Sequence, residues 1–224
     1  MKNARRLLPV SSLLLVLLPC VSFGAVPGVE TFDTDTAGFV RNTTSSVVVH
    51  VAAGGNPDGH IQTRKDLTPP VFDIGALTTD PDFTGDYAAA GIGQFSVDLN
   101  FMTGNITSAW VRFRPGVADN GWRFPLTNSF PTNVWNTYGV AFNPTWTDLQ
   151  AAAAGWVTDK DVDPLADPSP PFATVMAGVF TAEVRLASEG STLAGIDNFA
   201  IAVPEPGMIG LLAAGIAAML RRRP

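Results

Sequence analysis

The sequence is poor in the residues from which most enzyme active sites are built. It has one cysteine, Cys20, and two histidines, His50 and His60. A Gly-x-Ser-x-Gly turn and the paired histidines of a zinc site are both missing from it. His50 lies in an apolar, strand-like run and His60 follows a glycine-rich turn, which indicates structural roles. These absences exclude the common nucleophilic and zinc-dependent hydrolases, and we expect a protein that is not an enzyme.

Basic residues are scarce between the two ends of the chain. Between residues 25 and 203, eight lysines and arginines face nineteen carboxylates, which gives a net charge of about −11. Nucleic acids and anionic membrane surfaces attract a basic surface, so neither is expected as a partner. Sixteen of the nineteen acids are aspartates, which are typical of turns between strands and are also suitable oxygen ligands for calcium.

The first 24 residues have the three features of a secretory signal peptide in the usual order. A basic start is followed by an apolar stretch and then by small residues before the cut: Lys2, Arg5 and Arg6, then Leu13–Leu18, then Ser22 and Gly24. Cleavage is expected before Ala25, with a cut after Ala25 nearly as plausible. Lipidation of Cys20 is disfavoured because Leu18-Pro19 stands where small residues are needed. The exported chain would then contain no cysteine, so disulfides cannot stabilise it.

The last residues form three segments of different chemistry: Pro204-Glu205-Pro206, an apolar stretch from Gly207 to Leu220, and then Arg221, Arg222 and Arg223. Met208–Leu220 has 13 residues, about 20 Å of helix against roughly 30 Å of membrane hydrocarbon. A transmembrane helix is expected here, with the arginines on the cytoplasmic side. A short core helix is the alternative, but the stretch has no polar face. Its small residues suit a protein that is held only briefly.

This order of motif, apolar helix and arginine cluster resembles the sorting tail of the PEP-CTERM family of exported bacterial proteins. The resemblance covers residues 204–224 and implies that Pro204, Glu205 and Pro206 are recognised by an exosortase, a membrane-embedded processing enzyme. It further implies a Gram-negative bacterium that secretes exopolysaccharide. The protein would be anchored transiently in the inner membrane and would then reach the cell surface or the extracellular matrix, as part of a biofilm.

Residues 25–203 have the length of one domain and the pattern of an all-β fold. Short segments rich in β-branched and aromatic residues are separated by Gly, Pro and Asn: Ser45–Ala52, Ile92–Phe101, Ala109–Pro115, Tyr138–Phe142, Val175–Val184 and Ile196–Val203. One helix is predicted at Thr145–Ala154, with Thr145 or Thr147 at its N-cap. The acidic, proline-rich stretch 159–171 is expected to be an irregular loop. The pattern predicts an antiparallel β-sandwich of the jelly-roll type.

Several short motifs within this domain occur in an order that resembles the laminin IV (laminin B) module and galactose-binding-like jelly rolls. They are Glu30-Thr-Phe-Asp33, Gly54-Gly-Asn-Pro-Asp-Gly59, Gly85-Asp-Tyr87, Phe95-Ser-Val-Asp98 and Gly195-Ile-Asp197-Asn198-Phe199. Asp58 stands where that family commonly has glycine. The resemblance implies an adhesive or matrix role without catalysis.

A calcium site is the first binding site that the sequence suggests. In a jelly roll the first and last strands are neighbours, so Glu30, Asp33 and Asp35 could converge with Asp197. Several carboxylates together are what six- to eight-coordinate Ca²⁺ requires. Galactose-binding-like folds often keep a structural calcium at the matching place. The alternative is that Asp33 and Asp35 only fix the local turn.

A glycan-binding site is the second binding site that the sequence suggests. All five tryptophans lie between Trp110 and Trp156, and flat aromatic rings stack on sugar faces. Trp122 stands in a turn-like segment beside three polar residues, Asp119, Asn120 and Arg123, and is the preferred stacking residue. Trp135 is expected to anchor a strand in the core.

The sequence therefore predicts an exported surface protein that binds exopolysaccharide or another glycan. A structural, adhesive matrix protein without a glycan site is the alternative. A secreted glycosidase with two catalytic carboxylates is a third possibility, although a pair of carboxylates proves little among nineteen acids.

Overall fold

The computed structural model describes residues 27–44, 46–65, 72–116 and 120–204. The strands are β1 (Gly28–Glu30), β2 (Val40–Arg41), β3 (Ser46–Val51), β4 (His60–Lys65), β5 (Phe72–Thr78), β6 (Gln94–Arg114), β7 (Trp122–Thr127), β8 (Trp135–Ala141), β9 (Val157–Thr158) and β10 (Thr181–Ala202). The helices are α1 (Tyr87–Ala90), α2 (Asp148–Ala153), α3 (Asp159–Val162) and α4 (Phe172–Met176). The predicted signal peptide and the tail from Glu205 onward lie outside the described residues.

Two long antiparallel strands, β6 and β10, form the centre of the fold. They have 21 and 22 residues and pair along almost their whole length, from Thr181 opposite Arg114 to Ala202 opposite Gln94. Several register shifts interrupt this ladder, and such bulges let strands bend. The remaining strands add to the two halves of this pair.

The first half of β10 and the second half of β6 form one sheet, in the order β2-β5-β10-β6-β7-β9. The second half of β10 and the first half of β6 carry the remaining strands. β4 pairs with β10 and β3 pairs with β4, while β8 pairs with β6 and β1 pairs with the end of β10. All of these pairings between strands are antiparallel.

The two halves fold over each other to enclose the core. Phe95 and Phe113 lie near opposite ends of β6, and a straight strand would separate them by roughly 60 Å. Their ring centroids are only 6.1 Å apart, because β6 bends back across the core. Phe199 of β10 packs edge-on against Phe95, Phe39 and Phe83. The result is a β-sandwich with an aromatic centre, as predicted.

The predicted helix is confirmed. It spans Asp148–Ala153, and Thr147 is its N-cap in a capping box with Gln150. The described residues also contain three helices of four or five residues that were not predicted. One of them, α3, lies in the stretch expected to be an irregular loop. It forms because Thr158 and Asp161 make a second capping box.

The segment Val175–Val184 is a strand only from Thr181, because its first residues end the helix α4. The predicted proximity of the first and last strands is confirmed, since Glu30 of β1 pairs with Phe199 of β10. No helix within the four described ranges is long and apolar enough to cross a membrane.

Candidate functional site

The outer face of the β2-β5-β10-β6-β7-β9 sheet carries an unusual set of side chains. Along β6, Val111 and Phe113 point into the core, so the alternating residues Trp110, Arg112 and Arg114 lie on the opposite face. The neighbouring strands continue this polar face, because Arg185 of β10 pairs with Trp110, and Arg123 of β7 pairs with Arg112. A tryptophan therefore lies among four arginines, outside the core.

A groove of about 310 Å³ lies on this face. Its floor consists of Asp73, Ser108, Trp110, Arg185 and Ala187, and one wall is formed by Val162, Asp163 and Ala166. The wall belongs to α3 and the segment that follows it. Asn120, Arg112, Arg123 and Asp159 complete the lining.

A buried carboxylate, that of Asp159, holds this wall against the sheet. Arg112 Nε donates to Asp159 Oδ2 at 3.0 Å, and Arg123 Nε donates to Oδ1 at 2.8 Å. The backbone N–H of Gly121 donates to Oδ2 at 2.7 Å. Asp159 is the first residue of α3 and is only 2% exposed, so these bonds fix the position of the helix.

Opposing effects act on the pKa of the Asp159 carboxyl. Burial alone would raise this pKa, but the hydrogen bonds and charges of Arg112 and Arg123 outweigh burial. The net pKa is therefore below its usual value. Glu183 supplies a second buried carboxylate, with Oε2 3.4 Å from Arg112 Nη1 and 3.4 Å from Arg114 Nη2. Charges beneath the groove are thus largely compensated.

Trp110 is half-buried, and its ring borders the groove. The Arg123 guanidinium carbon lies 5.8 Å from the ring centroid, a distance typical of cation–π contacts. Across the floor, Arg185 forms an ion pair with Asp73, and both side chains remain partly exposed. A half-exposed indole, a guanidinium, a carboxylate and the amide of Asn120 therefore surround one groove.

Trp122, the predicted stacking residue, is not part of this groove. It is only 3% exposed and packs edge-on against Phe172, with ring centroids 5.3 Å apart. Its Nε1 donates to the carbonyl of Pro170 at 2.9 Å. The prediction of an exposed Trp122 is wrong because Trp122 is paired with Phe113 in the sheet and shares its inward direction.

The polar residues next to Trp122 in the chain do not all share its buried position. Arg123 and Asn120 do line the groove, since alternation along the chain turns Arg123 away from the core. Asp119 lies outside the described residues. Trp135 was expected in the core, but it is half-buried on the outer face of the other sheet, over Gly195, with Nε1 donating to Gly54 O at 2.9 Å.

The carboxylates predicted to bind calcium are engaged in separate local hydrogen bonds. Glu30 accepts from the N–H of Phe32, Asp33 from the hydroxyl of Thr31, and Asp35 from the N–H of Ala37. Within the described ranges, no group of three or more His, Cys, Asp or Glu side chains is arranged to hold a metal ion. The structure does not bring the four residues into one cluster, and calcium binding stays a prediction.

Asp197 instead takes part in a loop-anchoring cluster. Its carboxylate accepts the backbone N–H groups of Asn56 and Asn198, at 2.6 and 2.7 Å. The neighbouring Asp98 accepts the side-chain amide of Asn56 at 2.9 Å and that of Asn198 at 2.7 Å. Burial is the main reason why the pKa of Asp197 is raised, and the charges of Asp98 and Asp33 add to it. The cluster holds the glycine-rich loop before β4 onto the sheet.

Comparisons with known proteins bear on both the tail and the body. A model of the PEP-CTERM protein-sorting motif matches residues 202–223. The chain carries a PEP-CTERM sorting motif. This motif implies an exported protein that is sorted by an exosortase. No curated protein matches the sequence.

Two solved structures are similar to the body. One is a family 11 carbohydrate-binding module from Clostridium thermocellum in complex with a β-1,3-1,4-mixed-linked tetrasaccharide, at TM-score 0.51 and 13% identity, covering 80% of this chain and 96% of that one. The other is the family 11 module of a cellulosomal cellulase of Clostridium thermocellum, at TM-score 0.50 and 13% identity, covering 80% and 95%. At this identity the likeness shows the fold alone, a jelly-roll β-sandwich.

Trp110 could have been found from the sequence. Ala109–Pro115 alternates, so a tryptophan in phase with two arginines lies on the face opposite Val111 and Phe113. The groove wall could not have been found this way, because it depends on the contact between Asp159 and strands that are 36 and 47 residues away in the chain.

Proposed function

We propose that the sandwich is a non-catalytic glycan-binding domain, and that its sorting tail brings it to the cell surface or extracellular matrix. The observation that carries this proposal is Trp110, a half-buried tryptophan on the floor of a polar groove. An indole face offers a large apolar surface for a sugar ring, at a small cost in side-chain entropy.

The residues around Trp110 suit the hydroxyl groups of a sugar. Asp73 offers acceptors, Arg185 offers donors, and Asn120 offers both. Because Arg185 and Asp73 are already paired, they are held in place before a ligand arrives, which lowers the entropic cost of binding. The family 11 module with the same fold was solved with a tetrasaccharide, which supports this choice of ligand.

The charges in the groove argue against glycoside hydrolysis. The acid of a glycosidase needs a raised pKa so that it is protonated near neutral pH. Asp159 has the opposite property, because Arg112 and Arg123 lower its pKa. Among the described carboxylates, Asp197 has a raised pKa, and it lies in the loop-anchoring cluster. We therefore assign a binding function to the groove.

The ends of the chain define where this binding takes place. The signal peptide of residues 1–24 directs export, and the apolar stretch of the tail anchors the protein transiently in the inner membrane of a Gram-negative bacterium. Exosortase then removes the tail. Exopolysaccharide of the producing cell is the ligand that this destination favours, and calcium bound near Glu30 and Asp197 is a further proposal.

Binding of the purified, processed protein to exopolysaccharide from the producing strain tests the proposed ligand. We expect saturable binding in isothermal titration or in a pull-down with the insoluble polymer. Repeating the titration with Ca²⁺ and with a chelator tests the calcium proposal separately. No binding to the polymer or to a panel of plant and algal glycans would contradict a glycan-binding function and leave a structural role.

Replacing Pro204-Glu205-Pro206 with three alanines tests the sorting function. We expect full-length protein to accumulate in the inner-membrane fraction, because the exosortase no longer recognises the tail. Immunoblotting of cell fractions measures this. The same treatment of a variant with Asn128 and Ser129 replaced by alanine, in an exposed loop, serves as the control. An alanine-motif variant that reaches the surface at processed size would contradict the proposal.

A further inference from the structure

The sorting motif begins inside the folded domain. The matched region starts at residue 202, and Ala202 is the last residue of β10. Ala202 pairs with Gln94 of β6, and its carbonyl accepts the N–H of Gly93 at 3.0 Å. The strand that forms the centre of both sheets therefore runs directly into the motif.

The first proline of the motif is packed against the sandwich. A Cβ atom added to Gly93 would lie 2.8 Å from Cγ of Pro204 and 2.6 Å from the carbonyl oxygen of Phe142. This shows that the Pro204 ring sits on the bare backbone of Gly93. The position of Gly93 is fixed in turn, because its carbonyl accepts the N–H of Phe142 at 2.7 Å.

These contacts leave no spacer between the domain and the motif. Glu205 and Pro206 follow Pro204 directly, and each residue extends the chain by at most about 3.6 Å. Processing enzymes act on segments that are released from the fold, because the peptide must enter the active site in an extended form. The end of the sandwich therefore competes with the enzyme for the start of the motif.

We propose that the folded sandwich restrains its own sorting motif, and that the exosortase acts on a state in which Pro204 has left Gly93. This proposal concerns regulation and rests on the sorting function proposed above. When opening is fast relative to cleavage, the rate follows the population of the open state. The packing of Pro204 on Gly93 thereby sets the rate at which the protein leaves the membrane.

Insertion of Gly-Ser-Gly-Ser between Val203 and Pro204 tests the proposal in the full-length protein. The insertion leaves β10 in place and separates Pro204-Glu205-Pro206 and the tail from the sandwich. We expect processing in the producing cell to become about fivefold faster. This is the factor by which the population of the open state rises when the restraint loses the free energy of roughly one hydrogen bond. Pulse-chase labelling measures the rate. The same insertion between Asn128 and Ser129, in an exposed loop, is the control.

A second variant changes the packing without changing the length. Gly93→Ala places a methyl group against Pro204 and also 2.6 Å from the carbonyl oxygen of Phe142, so its unfolding free energy is measured beside its processing rate. We expect faster processing in a chain that remains folded. Gly178→Ala, where an added Cβ has no neighbour within 4 Å, is its control and should keep the original rate. Unchanged or slower processing of the insertion variant would overturn the restraint. If the three-alanine motif variant were processed like the original chain, the sorting function itself would fail, which is a different result.

Discussion

Asp159→Asn is expected to lower the free energy of unfolding by about 3–5 kcal/mol, because it leaves buried arginines without their counter-charge. Arg112 and Arg123 both donate to this carboxylate. Arg112 keeps a longer contact to Glu183, at 3.4 Å, while Asp159 is the only described carboxylate that Arg123 contacts. Urea unfolding followed by tryptophan fluorescence measures the loss.

Asp163→Asn is the matched control, in the same segment. Asp163 is exposed, and its Oδ1 accepts the N–H of Leu165, a bond that an asparagine oxygen preserves. We expect its effect to stay within about 0.5 kcal/mol. Equal stability of the Asp159 and Asp163 variants would show that the buried ion pairs contribute nothing to the fold.

The Asp159 carboxylate also makes the stability of the fold depend on pH. Its pKa is lowered in the folded state, so the folded state binds fewer protons there than the unfolded chain does. The stabilisation is present above the ordinary aspartate pKa of about 4 and is lost as the pH falls toward the folded-state pKa. The Asp159→Asn variant should lack this part of the acid-induced loss of stability.

Trp110→Ala is expected to weaken glycan binding at least about tenfold, or about 1.4 kcal/mol, because the stacking surface of the groove is removed. Trp110→Phe keeps an aromatic face and should retain most of the affinity. Titration against the same polysaccharide measures both. The fold should survive, since Trp110 lies outside the core cluster.

Trp146→Ala is the control for Trp110→Ala, because Trp146 is also half-buried but borders a different surface, with Thr147 and Leu149. It should bind glycan normally. Because Trp146 packs against the core, circular dichroism first checks that both variants are folded. Unchanged binding by the folded Trp110 variant, or an equal loss in both folded variants, would place the glycan site elsewhere.

Local sequence patterns predicted much of the fold. The alternation of Phe95, Val97, Leu99 and Phe101 was enough to identify the first half of β6, and Thr147 with Gln150 was enough to place α2. These local patterns do not predict which strands pair with each other. The apolar residues of Val175–Val184 predict one strand, because they do not distinguish a short helix from a buried strand.

The candidate site shows the same limit. The polar residues around Trp122 in the chain predict an exposed side chain, yet its direction is set by pairing with Phe113. Asp159 was one aspartate among many in an acidic stretch, and only its contacts with Arg112 and Arg123 distinguish it. Neighbours in sequence indicated polarity correctly, but not which residue faces solvent.

The central position of β10 has a consequence for how the protein acquires its structure. β10 contributes to both halves of the sandwich and is the last strand among the described residues. Strands β4, β5 and β6 therefore lack their shared partner until residues 181–202 are available. Contacts between such distant segments form slowly. In the export proposed above, a chain that leaves the translocation channel N-terminus first therefore completes its fold only after residues 181–202 have crossed.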